Sequence, residues 1–246
     1  MNAIKTKSFE LAVYQRGESS APKLAIVIPG RLDTKDYVHN TSLVDYLAGL
    51  GYLALSFDPP GTWESPGNIS LYTTTNCIRA VNELIEHFGN RPTVLAGHSR
   101  GGTVAMLVGP QNPHVTHIIP IFSYYGAPSD PEPDRIVDDA LVSYRDLPPG
   151  DKKTAGQKKF LLPLSYFEDG KRYNALPSLK TYEKLKLFFY GTLDDMNDPK
   201  YVQEAYRESA EPKMIHRIDS DHDYRYHPGA IREINETIRR FLGGKL

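Results

Sequence analysis

The sequence predicts an α/β fold: a mostly parallel sheet with helices on both faces. Three observations carry the prediction. Short apolar runs alternate with stretches whose apolar residues recur at helical spacing. The runs themselves, such as Leu24–Ile28 (LAIVI), are apolar throughout, which suits strands buried on both faces. One stretch, Thr93–Val108, reads TVLAGHSRGGTVAMLV: an apolar run, a serine between glycines, then a helix-like segment of small and apolar residues.

Taken in order, residues 4–14 alternate roughly and predict one or two edge strands ending near Gly17. Leu24–Ile28 is the first buried strand, closed by Pro29-Gly30-Arg31. Leu43, Val44, Leu47 and Leu50 predict a helix over Thr41–Leu50 that Gly51 ends. Tyr52–Phe57 is the next strand, followed by a turn-rich loop from Asp58 to Ser65. Ile78, Val81, Leu84, Ile85 and Phe88 share one side of a helix over Leu71–Phe88. Thr93–Ala96 is a strand, Gly102–Val108 a helix, and Val115–Phe122 a further strand. The rhythm resumes with a strand at Leu185–Tyr190, a helix from Pro199 to about Ala210, a strand at Lys213–Ile218 and a last helix over Pro228–Leu242.

Between them the alternation stops. Residues 126–181 are rich in proline, lysine and tyrosine and too long for a structureless connection in a compact domain. They leave the sheet beside the serine strand. The expectation is a core domain of residues 1–125 and 182–246, with residues 126–181 a small cap inserted between core strands.

Composition narrows the function. A chain of 246 residues suits one large α/β domain with an insertion. Its net charge of −1, with no basic run interleaved by aromatics, argues against a nucleic-acid partner or an anionic membrane surface. No stretch is long and apolar enough to span a bilayer. The amino terminus has no long apolar core after its charges, so it does not read as a secretory signal and the expected location is cytoplasmic. Cys77, the only cysteine, excludes an intrachain disulfide and falls in a helical pattern as a small hydrophobe. Nothing in the sequence sets the oligomeric state.

The chemistry centres on Gly97-His98-Ser99-Arg100-Gly101. A serine on so sharp a strand-to-helix turn sits in strained backbone, and its flanking glycines let strand and helix approach. A serine hydroxyl is a poor nucleophile until a base takes its proton, and that base needs a third group to orient it. Among eight histidines, His222 is singled out, in the loop Asp219-Ser220-Asp221-His222-Asp223 between the last strand and the last helix. His98 adjoins Ser99 but should point under the turn. The acid should follow Leu185–Tyr190, where Asp194, Asp195 and Asp198 stand. Asp194 is preferred, Asp195 is its rival, and Asp198 before Pro199 reads as a helix cap. Oxyanion-binding backbone N–H groups are expected from Arg31 and Arg100, which leaves both side chains free for a substrate carboxylate, an acid of the cap or a structural ion pair. Trp63, Tyr124 and Tyr125 are candidate pocket aromatics. His216, Asp219, Asp221, His222 and Asp223 lack metal-ligand spacing, and the Gly97–Gly102 run is no nucleotide motif, so no metal or cofactor is expected.

In this order, Pro29-Gly30-Arg31, Asp58-Pro59-Pro60-Gly61 with Ser65, GHSRGG, GTLDD and SDHD make the chain resemble the α/β-hydrolase superfamily over nearly its whole length. Within it, the chain resembles small capped serine esterases of the cinnamoyl (feruloyl) type. The resemblance implies an eight-stranded sheet and an acyl-enzyme mechanism through Ser99, Asp194 and His222. Pro29-Gly30 replaces the usual His-Gly, and Trp63 replaces a loop glycine. The expected function is a serine hydrolase cleaving a carboxylic ester, with a thioester or small amide next. An acyltransferase, a cofactor-free lyase or perhydrolase, and a non-catalytic binding protein on the same fold are the alternatives.

Overall fold

The computed structural model describes residues 2–244. Strand β1 (Ala3–Lys5) pairs antiparallel with β2 (Glu10–Arg16), so the alternating start is a hairpin at one edge. Then come β3 (Leu24–Ile28), α1 (Val38–Gly49), β4 (Leu53–Phe57), α2 (Thr74–His87), β5 (Thr93–His98), α3 (Arg100–Val108) and β6 (Val115–Ile121). After a long insertion, described below, the core resumes.

The insertion holds β7 (Ile136–Val137), β8 (Ala140–Asp146), β9 (Gln157–Pro163), α4 (Leu164–Gly170) and α5 (Leu176–Leu179). Its three strands form an antiparallel sheet of their own in the order β7-β8-β9. The core continues with β10 (Leu185–Gly191), α6 (Pro199–Glu208), β11 (Lys213–Ile218) and α7 (Pro228–Leu242). The main sheet has eight strands in the order β1-β2-β4-β3-β5-β6-β10-β11. From β4 to β11 every neighbouring pair is parallel, and only β1 and β2 run against their neighbours.

Strand alternation divides the core in two. On β3, Leu24, Ile26 and Ile28 face α2 and α3, packing with Val81, Leu84 and Val104. Ala25 and Val27 face the other way, against Leu43 and Leu47 of α1 and Ile234 and Ile238 of α7. Both clusters are closed to water, which is why β3 is apolar at every position.

Several boundaries differ from the sequence expectation for identifiable reasons. Helix α1 begins at Val38, three residues early, and buries His39 and Asn40 in its first turn. Helix α2 begins at Thr74, because the Thr73 hydroxyl accepts from Asn76 N and caps it; a short 3₁₀ turn, Ile69–Leu71, precedes. Helix α3 begins at Arg100, directly after Ser99. No helix among the described residues is long and apolar enough to cross a membrane.

Candidate active site

Parallel strands bring their carboxyl ends to one edge of the sheet. Ser99 follows β5, Asp194 follows β10, His222 follows β11 and Arg31 follows β3. Ser99 has φ 52° and ψ −120°, a conformation that costs a non-glycine residue about 1–3 kcal/mol. Surrounding structure holds it there: Ser99 N donates to Ile121 O at 2.8 Å, and its carbonyl accepts from Gly102 N at 3.1 Å. The result is a hydroxyl standing clear of the turn.

Ser99 Oγ lies 2.9 Å from His222 Nε2. On the opposite side of the ring, His222 Nδ1 lies 2.9 and 3.0 Å from the two Asp194 oxygens. Both His222 and Asp194 are buried. Asp194 Oδ1 also accepts from Met196 N (3.0 Å) and Asn197 N (2.8 Å), so its carboxylate is fixed by backbone as well as by the imidazole. Facing these two oxygens, Nδ1 carries the hydrogen of the ring, which leaves Nε2 to accept from the serine. Asp195 is exposed and points elsewhere. Asp198 caps α6, accepting from Lys200 N at 2.9 Å.

The backbone N–H groups of Arg31 and Arg100 have no acceptor among the described residues, and both residues line the same cavity as Ser99. The turn that presents Arg31 is held from two sides. Tyr72 OH accepts from Leu32 N at 3.1 Å, and the Arg145 guanidinium donates twice to Arg31 O, at 2.9 and 3.1 Å. Arg145 belongs to β8, so the insertion buttresses the core turn. The cavity measures about 520 Å³, within the range of small-molecule sites. Its wall combines core residues with Pro128, Leu141 and Tyr166 of the insertion.

Of the candidate aromatics, only Tyr124 lines this cavity. Trp63 does not: its Nε1 donates to Leu32 O at 2.8 Å, and its ring packs edge-on against Phe160 and Tyr37. Tyr125 is buried away from it, with its hydroxyl donating to Glu204 at 2.7 Å. Both are clamps between core and neighbouring segments rather than pocket walls. The side chain of Arg100 donates to Gly126 O (2.9 Å) and Thr74 Oγ1 (2.5 Å), both neutral acceptors.

Three residues escape any reading of local spacing. Asn197 donates to Phe122 O at 2.8 Å and so ties the acid loop to the end of β6. Arg225 bridges the core to the insertion, reaching Asp146 at 3.0 Å and Gly150 O at 2.9 Å. Asp33 faces His98 Nδ1 at 3.6 Å, while His98 Nε2 donates to His222 O at 3.0 Å. His98 is thus packed under the serine turn and braces the loop of His222.

Asp33, His39 and His98 each present a ligand atom within 4.8 Å of the others, the group here whose reach would suit a metal ion. His39 is buried with neither ring nitrogen hydrogen-bonded. Burial, reinforced by the nearby His98 and Arg225 and opposed by Asp33, pushes its pKa down to about 3. Burial likewise lowers His117 to about 4. Both stay neutral in the native state while the unfolded chain takes up protons below its ordinary histidine value near 6.5. Stability is therefore full above about pH 6.5 and falls as the pH drops toward the folded values, by up to about 1.4 kcal/mol per pH unit for each group. His39→Leu is expected to flatten this acid limb by up to one proton. Urea midpoints at pH 7.5, 6 and 5 measure it, and an unchanged slope would contradict the assignment.

The sheet order, the strained serine turn at its carboxyl edge and the inserted segment define the chain as an α/β-hydrolase-fold protein. A family model described as alpha/beta hydrolase fold matches residues 25–119. Among solved structures the chain is similar to Est1E of Butyrivibrio proteoclasticus with ferulic acid bound, at 17% identity and TM-score 0.79, covering 100% of this chain and 99% of that one. It is similar also to mouse alpha/beta hydrolase domain-containing protein 10, at 18% identity and TM-score 0.76, covering 99% and 98%. A monoacylglycerol lipase of Paleococcus ferrophilus aligns at 18% identity and TM-score 0.73, covering 96% and 99%. No curated protein matches the sequence.

Proposed function

We propose that the protein is a serine hydrolase that cleaves a carboxylic ester, with thioesters or small amides as secondary substrates, through an acyl-enzyme. The hydrogen-bonded chain Ser99–His222–Asp194 at the wall of the cavity carries this reading. Ser99 Oγ attacks the acyl carbonyl while His222 Nε2 takes its proton. Asp194 holds the ring and stabilises the imidazolium that forms. The N–H groups of Arg31 and Arg100 receive the negative charge developing on the carbonyl oxygen. His222 returns the proton to the departing alcohol. Water then repeats the sequence in reverse roles and releases the acid.

Residues 126–181 act as the cap that shapes the acyl or alcohol pocket, Tyr124 contributes to its wall, and no cofactor takes part in the steps. A cytoplasmic setting fits a chain whose single cysteine is buried and unpaired. The similarity to Est1E and to the monoacylglycerol lipase supports the choice of esters among acyl compounds.

Product analysis tests this. With 4-nitrophenyl butyrate, in buffer and with added methanol, the expected products are nitrophenol and an equal amount of butyric acid. Methyl butyrate as the main product at low methanol would make the protein an acyltransferase instead.

A further inference from the structure

Arg31 carries a charge that the protein leaves unanswered. Its side chain is half-buried beside Ser99 and makes no hydrogen bond, ion pair or ring contact with any described residue. Its hydrogen bonds run through its carbonyl, which accepts from Arg145. Two further arginines of the insertion, Arg135 and Arg145, stand on the same cavity wall. Burial lowers the Arg31 pKa, with Arg145 and Arg135 adding to the effect and Tyr166 and Tyr72 opposing it.

The carboxylates nearby pair with Arg145 and Arg135 at long range, and none pairs with Arg31. Asp33 approaches Arg145 only to 3.8 Å and faces His98 as well. Glu132 approaches Arg135 at 3.9 Å from an exposed position. The other acids of the wall are already engaged: Asp146 and Asp223 by Arg225, and Asp130 by Lys171. Tyr166 adds a second unmet demand. It is 2% exposed, lines the cavity, and its hydroxyl has no partner.

Arginine in a partly desolvated site without a counter-charge is costly, and its planar fork matches a carboxylate in two parallel bonds. A hydroxyl without a partner beside it offers a third donor. We propose that Arg31, with Tyr166 and Arg135, forms an anion subsite that selects ester substrates bearing a carboxylate on the acyl or the alcohol arm. The subsite rests on the serine-hydrolase reading above and gives it a substrate class. The same residue would then use its backbone N–H for the oxyanion and its side chain for the substrate anion.

Two near-isosteric pairs test the subsite. Phenyl hydrogen adipate against phenyl hexanoate places the carboxylate on the acyl arm. 3-Acetoxybenzoate against methyl 3-acetoxybenzoate places it on the alcohol arm. Wild type is expected to favour the acid at least tenfold in kcat/KM in one pair. Arg31→Met is expected to reduce that acid-to-neutral ratio by about 10- to 100-fold, chiefly through KM, and Arg31→Lys to retain part of it. No preference in either pair, or equal losses for acid and neutral ester in Arg31→Met, overturns the subsite while leaving the hydrolase reading intact.

A binding measurement separates the two claims if no ester is cleaved. Calorimetric titration of adipate into wild type and Arg31→Met reads the subsite without turnover. Binding to wild type that weakens at least tenfold in Arg31→Met supports it, and absent or equal binding overturns it.

Discussion

Replacing Ser99 by alanine is expected to lower kcat for any substrate the protein turns over by a factor of about 10⁴–10⁶. The hydroxyl lines the cavity, and its side-chain hydrogen-bond partner is His222 Nε2 at 2.9 Å. Without it, His222 and Asp194 have no nucleophile to activate. The free N–H groups of Arg31 and Arg100 would still polarise a bound carbonyl, so a small residual rate above water is expected. The fold should tolerate the change. Alanine has the same Cβ, so the positive φ costs it about what it costs serine, and one lost side-chain hydrogen bond is worth about 1 kcal/mol. Steady-state kinetics beside a thermal melt measure both. Activity within tenfold of wild type in a well-folded Ser99→Ala protein would contradict a serine mechanism.

The second large effect is on stability. Gly101→Ala is expected to cost about 3 kcal/mol or more, or to prevent soluble expression. A Cβ at residue 101 would stand 2.0 Å from Ile28 O and 2.7 Å from Pro29 O. These are backbone atoms at the end of β3, where Ile28 is held in register with Gly97 of β5, so they have little room to move aside. Helix α3 would have to lift away from the sheet, carrying Arg100 with it. The same shift would press on Pro29 and displace the Arg31 turn. Gly49→Ala is the control, because nothing lies within 4 Å of a Cβ there and the residue sits at the end of a helix. Urea denaturation should show a lower midpoint for Gly101→Ala and none for Gly49→Ala. A wild-type midpoint for Gly101→Ala would mean that strand and helix are not in this close contact.

Which parts of this arrangement the sequence discloses follows from how local each signal is. The serine turn is legible because its steric demand falls within five residues, Gly97 to Gly101. The order of strands and helices is legible because both faces of the central strands are dry, so β3, β4 and β5 are fully buried and mostly apolar. Asp194 and His222 sit in short loops that immediately follow recognisable strands. Asp194 rather than Asp195 meets His222 because the turn after β10, with Asp194 N donating to Gly191 O, aims position 194 inward and leaves 195 in solvent.

The rest depends on contacts between distant residues. The pin from Arg145 to the Arg31 carbonyl spans 114 positions, and the bond from Asn197 to Phe122 spans 75. No periodicity encodes either. Trp63 and Tyr125 read as pocket aromatics by type alone, yet each has a polar handle committed elsewhere, to Leu32 O and to Glu204. The three strands of the insertion are similarly obscured. They are half-exposed, with Val137, Tyr144 and Leu161 facing solvent, so their pattern lacks the apolar continuity that marks the core strands.

The central claim is that Ser99 is an activated nucleophile. Intact-mass analysis after exposure to a fluorophosphonate, on wild type and on Ser99→Ala, tests it most directly. The account predicts one covalent adduct on wild type and none on the variant. No adduct on well-folded wild type, or an equal adduct on both proteins, would contradict it.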